Sequence, residues 1–199
     1  MRLLVVGSTT LSTSDTKLKT RLQYIGYSVT VKDDDVVAAS DATGQNVVVI
    51  SETVPPTVIN SKLGSLSIPV VVLEPALYDD MLMVSSSTNS GLQASQTQVS
   101  ITDSTHPLAA GYIGLNAVYT SSDNLTWGLP TSSAIKVASI NGNTTRSVIF
   151  AYTQGSAMAG INAPARRVGL YLSGTGSDKW TSPGSMLFDA AITWAFTGN

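Results

Sequence analysis

Three short runs of apolar, mostly β-branched residues punctuate the first half of the chain: Leu3 to Val6, Val47 to Ile50 and Val70 to Leu73. Each is continuous rather than alternating, the pattern of a parallel strand covered on both faces. A fourth run, Tyr27 to Lys32, alternates and reads as a half-covered strand. Between the first and second strands, Leu18, Leu22 and Ile25 recur at helical spacing. This predicts a helix from about Ser14 to Ile25, with a Ser or Thr cap, Asp15 in its first turn and Gly26 placed to end it. Shorter helices are expected near Val36 to Ala39 and Pro56 to Leu63. Strands alternating with helices predict an α/β fold with a doubly wound, mainly parallel sheet.

The second half is β-rich and less regular. Val84 to Gln98 is dense in Ser, Thr and Gln and reads as an exposed excursion. Short β-like runs follow at Val99 to Thr102, Ala117 to Thr120, Ile135 to Ile140, Ser147 to Tyr152 and Val168 to Leu172. Asn141-Gly142 between two of them is the strongest hairpin signal in the chain. The run SPGSMLFDAAITWAF closes as a helix, with Ser182 as its cap, Pro183 at its first position and an apolar face of Met186, Leu187, Ala190, Ala191 and Trp194. No repeat of about 20 to 50 residues is visible. At 199 residues, one domain spanning 1–199 is expected.

Composition narrows the function classes. With 11 Lys and Arg against 13 Asp and Glu, the net charge of −2 creates no field that condenses on nucleic acid or an anionic membrane. No apolar segment approaches the roughly 18 to 20 residues that span a bilayer, so a soluble chain without membrane insertion is expected. MRLLVVG at the start is too short for a signal peptide and reads as the first strand. Cysteine is absent, which removes disulfides, thiolate catalysis and Cys-zinc sites together. Only 12% of residues are charged, and hydroxyl and amide side chains crowd the loops. That surface suits an extracellular or cell-surface protein whose export signal lies outside this chain.

The order of elements, the HPLAAG run at His106 to Gly111 and the closing ARRVGLYLSGTG and SPGSMLFDAAITWAF segments resemble the class I glutamine amidotransferase-like superfamily. Within it the chain is most similar to trehalose-utilisation-like and related noncatalytic extracellular modules. The resemblance covers nearly the whole chain through weak motifs, and it implies a flavodoxin/amidotransferase-like sheet. It also implies a catalytic cysteine in a Gly-x-Cys-x-Gly elbow after the strand ending at Leu73, and a His and a Glu after the strand ending at Leu172. Here Glu74 stands at the elbow, followed by Pro75 and Ala76, and Ser173, Gly174 and Thr175 follow the later strand. All three catalytic roles are vacant, so glutamine hydrolysis is not expected.

Other residues are candidates for chemistry at the carboxyl edge of the sheet, where open α/β folds bind ligands. Asp33, Asp34 and Asp35 follow the second strand, Glu52 the third and Glu74 the fourth. Carboxylates alone suit Ca²⁺ or Mg²⁺, or an acid/base pair if one is held protonated. The plainer reading is that Glu74 and Asp79 or Asp80 favour the first turn of a following helix. Trp127 and Trp180 are candidates for stacking on sugar rings, against the plainer reading that large aromatics are mostly buried. His106 is the single imidazole and precedes Pro107, which fits a turn; Gly174-Thr175-Gly176 lacks the further residues of a phosphate loop.

Three function classes follow. The first is a noncatalytic interaction or scaffold module of an exported bacterial protein, accessory to a carbohydrate-active enzyme and partnered by other domains or like subunits. The second is a sugar-metabolism enzyme using the carboxylates. The third is a self-assembling structural subunit.

Overall fold

The structure, a computed structural model, describes residues 1–199. One sheet of 11 strands runs through the chain. Its parallel part is formed by β1 (Arg2–Val6), β2 (Val29–Asp33), β3 (Val47–Ile50), β4 (Val70–Val72) and β11 (Arg167–Leu170), ordered β2-β1-β3-β4-β11. The four strands expected from the apolar runs of the first half are therefore neighbours and parallel. Beyond β11 every pairing is antiparallel, through β10 (Asn143–Tyr152), β9 (Ile135–Ile140), β6 (Gln98–Ile101) and β7 (Gly114–Ala117). A side ribbon of β5 (Ser90–Gln96) and β8 (Asp123–Gly128) joins through β10.

The sheet is thus mixed rather than mainly parallel, and the doubly wound expectation also needs correction. Only two helices exceed one turn, α1 (Thr13–Tyr24) and α4 (Ser182–Thr197), and both pack on the same face. Strand residues alternate between the faces: Leu4, Val6, Val49 and Val71 meet Leu18 of α1 and Ile192 of α4. Leu3, Val5, Ile50 and Val72 point the other way. Their cover is a one-turn helix, α2 (Pro56–Ile59), with 3₁₀ turns at Ala39–Ala42 and Pro75–Leu77 and the loop carrying Tyr78, Met81 and Met83. Between β3 and β4, Pro55, Pro56, Gly64 and Pro69 interrupt the path of a longer helix.

Local chemistry explains the boundaries. Ser12 caps α1 by accepting from the Asp15 N–H at 3.0 Å, and Gly26 takes φ +94° just beyond its end. Thr181, not Ser182, caps α4 by accepting from the Gly184 N–H at 3.1 Å, and Gly198 ends it at φ +85°. The Asn141-Gly142 hairpin joins β9 to β10 as expected. The supposed excursion after Val84 contains β5, which pairs with β8, a strand hidden in the turn-like SSDNL sequence.

Two features hold the junction between the parallel and antiparallel halves. Arg167 is fully buried, and its guanidinium donates to the carbonyls of Gly64, Leu66, Ile68, Ala165 and Arg166 at 2.7–3.2 Å. No carboxylate pairs with it, and burial lowers its pKa to about 10. One strand over, Phe150 of β10 lies opposite Gly169 of β11, its ring covering the space a Cβ at 169 would need. Phe150 also meets Tyr78 edge-on at 5.1 Å.

Gly169→Ala is expected to cost about 1–3 kcal/mol by overpacking, and Phe150→Ala about 3–5 kcal/mol by opening a cavity. Arg167→Met leaves buried carbonyls without donors and is expected to cost at least about 1–3 kcal/mol. Urea unfolding of the three variants beside the parent chain checks all of these.

Candidate functional site

The carboxyl ends of the parallel strands bring four carboxylates into electrostatic contact. Glu52 follows β3, Glu74 follows β4, Asp15 lies in the first turn of α1, and Asp123 opens β8. Asp15, 2% exposed, is an anchor: it accepts from the hydroxyls of Ser51 at 2.6 Å, Thr53 at 3.0 Å and Ser12 at 2.9 Å. These bonds tie the start of α1 to the end of β3. Beside them Ser14 and Ser177 share a buried hydroxyl contact at 2.7 Å, tying α1 to α3 (Gly176–Lys179).

Glu74 occupies the elbow position but not an elbow geometry. Its backbone is extended, at φ −78° and ψ 108°, and its side chain turns back to accept from the Ala76 N–H at 2.8 Å. A nucleophile elbow instead holds its residue on a sharp, strained strand-to-helix turn. Glu74 is 8% exposed, and burial pushes its pKa up, with the Ala76 bond opposing.

Glu52 is the most perturbed of the four. Burial first, and then the charge of Glu74, raise its pKa from 4.5 to about 7, while the Gly174 N–H favours the ionised form. Glu52 Oε2 lies so close to Gly174 that a Cβ there would collide with it. Glycine at 174 is thus explained by the close approach of this carboxyl.

Asp123 is set the other way. Burial acts to raise its pKa, but bonds from Thr175 Oγ1 at 2.7 Å, the Asn124 N–H at 2.7 Å and Lys179 Nζ at 3.0 Å outweigh it, and the pKa is lowered. Ser173 Oγ also donates to Asp123, at 3.3 Å. Ser173 and Thr175, where the resemblance implies His and Glu, are therefore hydroxyl donors to a structural carboxylate. The edge offers one acid/base group near neutrality, Glu52, and no imidazole. His106 is at the opposite end of the sheet, capping the 3₁₀ turn Pro107–Ala109 and tilted against Trp194 at 5.4 Å.

The other candidates separate. Asp33, Asp34 and Asp35 cluster at the end of β2, with one oxygen of each within 4.8 Å of the others; Glu52 and Glu74 do not join them. Asp33 already accepts from the Thr9 N–H at 3.2 Å and the Asp35 N–H at 3.1 Å. If a hard cation is held at this edge, those three residues supply its oxygens. Trp127 is 8% exposed and stacked under the Arg146 guanidinium at 4.3 Å, so its ring faces protein. Trp180 is half-buried against Phe188, at 5.5 Å between ring centres, and borders a shallow surface depression with Lys17 and Arg21. Asp123 carried no sequence signal, because β8 reads as a turn. Asp15 reads as an ordinary first-turn acid.

Because the folded state holds Glu52 protonated up to about pH 7, its contribution to stability is complete below 4.5 and lost as pH rises through 7. Stability should fall across that window in the parent chain, and Glu52→Gln should flatten the fall. Urea melts at half-unit pH steps provide the measurement.

No protein-family model and no curated protein sequence matches the chain. Solved structures do. A GMP synthase-type protein from Thermoplasma acidophilum is similar over 98% of this chain and 94% of its own, with a TM-score of 0.61 and 14% identity. PurLQS from Thermotoga maritima is similar over 97% and 98%, with a TM-score of 0.54 and 10% identity. A glutamine amidotransferase from Thermotoga maritima is similar over 86% and 75%, with a TM-score of 0.52 and 11% identity. At such identities the likeness speaks for architecture and not for activity. The chain has the class I glutamine amidotransferase-like fold.

Proposed function

We propose that this chain is a noncatalytic interaction or scaffold module of an exported bacterial protein, accessory to carbohydrate-active machinery, on an amidotransferase-like fold. The observation that carries the reading is the relaxed backbone of Glu74 and its bond to the Ala76 N–H. Where catalysis would need an exposed, activated nucleophile, the chain has a carboxylate capping its own turn. Ser173 and Thr175 are committed to Asp123. The low charge and hydroxyl-rich composition support an extracellular setting. Partners are other domains of a larger polypeptide or like subunits. The edge strand β7, with Leu115 exposed on it and Ile113 just before it, supports such contacts.

A second reading, an enzyme of sugar metabolism, is favoured by one observation: Glu52 and Glu74 repel, and Glu52 is protonated near neutrality. Two carboxyls whose environments separate their pKa values are the usual equipment of acid/base catalysis. Hydrolysis of a chromogenic glycoside that tracks a group near pH 7 and disappears in Glu52→Gln would put this reading first.

The purified chain is expected to release no ammonia from glutamine above a heat-killed control. Release that is lost in Glu74→Ala would show a carboxylate acting as the nucleophile and overturn the noncatalytic reading.

A further inference from the structure

A sizeable cavity lies away from the carboxylate edge. It opens at the amino ends of the parallel strands, beside Asn46 before β3, Pro69 before β4 and Arg166 before β11, and has a volume of about 720 Å³. That is the size range of sites for small organic ligands. Its lining contains Arg166 and His106 and no carboxylate.

Two polar groups in the lining, Arg166 and His106, have unspent hydrogen-bonding capacity of a definite kind. Arg166 Nη1 donates to the carbonyls of Ala195 and Phe196, both at 3.1 Å, which fixes the guanidinium against the last turn of α4. Its Nε and Nη2 donate to no protein acceptor, and Arg166 enters no salt bridge. That Nε/Nη2 side is the fork that grips a carboxylate with two parallel bonds. His106 Nδ1 accepts from the Leu108 N–H at 3.2 Å, so the neutral ring carries its proton on Nε2. Gln45 Oε1 is buried with no donor and out of a ligand's reach, which leaves the Gln45 Nε2 as the group it offers the cavity. Gln154 adds a further neutral amide.

The apolar part of the lining is equally specific. Phe196, near the end of α4, lines the cavity and is 44% exposed. The Arg2 guanidinium lies 4.7 Å from its ring centre, fully buried and without a carboxylate partner. The cavity therefore sits among buried and half-buried cations with no acid in its wall.

We propose that this cavity binds a small carboxylated sugar. Arg166 pairs with the carboxylate; Gln45 Nε2, the Gln154 amide and His106 Nε2 meet ring hydroxyls; and Phe196 receives the apolar face of the ring. One free guanidinium edge matches a monoanionic carboxylate better than a phosphate dianion, and an amide that both donates and accepts matches hydroxyls. The assignment stands apart from the carboxyl edge, so activity found at Glu52 would leave it untouched.

Calorimetric and NMR titrations with D-glucuronate, D-glucose and acetate test it on the whole chain. Glucuronate should bind saturably and move the amide signals of Gln45 and Gln154, with glucose and acetate each at least about tenfold weaker. Arg166→Gln should weaken glucuronate at least about tenfold while leaving the weak glucose response unchanged. Because Arg166 also braces α4, Gln154→Ala is the companion variant; it should weaken glucuronate and glucose alike with the melting temperature unchanged. Acetate binding as tightly as glucuronate would reduce the site to an anion contact and overturn the proposal. So would glucuronate binding unaffected by both variants, signals that move only at the carboxyl edge, or no binding at all.

Discussion

A buried guanidinium without a counter-ion organises the centre of this molecule. Arg167 must surrender its water shell, and it recovers those bonds only from backbone carbonyls that point inward at the amino end of β4 and β11. The loop through Gly64, Leu66 and Ile68 is consequently wrapped around a side chain that it cannot release without leaving several buried acceptors unpaired. That loop leads directly into β4, and β4 sets where Glu74 emerges. The same strand start fixes β11, on which the antiparallel half is hung through β10.

Charge is divided along the strand direction. Arg2, Arg166 and Arg167 gather where the parallel strands begin, and Asp15, Asp33 to Asp35, Glu52 and Glu74 gather where they end. In a chain with so few charged residues this separation leaves like charges with few opposite neighbours. Each edge solves the problem differently. The acidic end uses hydroxyl donors around Asp15 and protonation at Glu52. The basic end uses carbonyls around Arg167 and aromatic faces around Arg2, whose guanidinium lies 3.6 Å from the Tyr27 ring centre. Ion pairing enters at the acidic end only through Lys179 and Asp123, at 3.0 Å, and Arg167 at the basic end has no carboxylate partner.

What the sequence discloses follows from how locally each feature is encoded. β1, β3 and β4 are buried on both faces, so their residues carry no polar alternation and stand out as runs. α1 is amphipathic, capped and ended by glycine, all within one short stretch of chain. β5 escapes notice because it is mostly Ser, Gln and Gly, and β8 because it opens on Asp123-Asn124 in a turn-like stretch; each is a strand through pairing with the other. At the carboxyl edge the position of Glu74 is legible from the strand that precedes it, and so is the absence of cysteine. Its relaxed backbone, the coupling to Glu52 and the arrival of Asp123 from the far half of the chain are products of tertiary packing. The amino-edge cavity is the least legible feature, since Gln45, His106, Gln154 and Arg166 come from separate connections with no shared motif.

The unequal covering of the two sheet faces has a chemical consequence. Thioethers are the only oxidisable sulfur in this chain, and the three buried ones, Met81, Met83 and Met158, all lie on the face roofed by one-turn helices and loops. Flexible methionines suit that position because they fill the irregular gaps such a roof leaves. A roof of short segments also opens more readily than a long helix, in local excursions well below global unfolding. Peroxide would therefore reach these side chains through breathing of the loop face while the α1/α4 face stays closed. Conversion to the polar sulfoxide would then prevent the roof from settling back. Once the exposed Met1 and Met186 have reacted, oxidative damage to the core would begin on one side of the sheet.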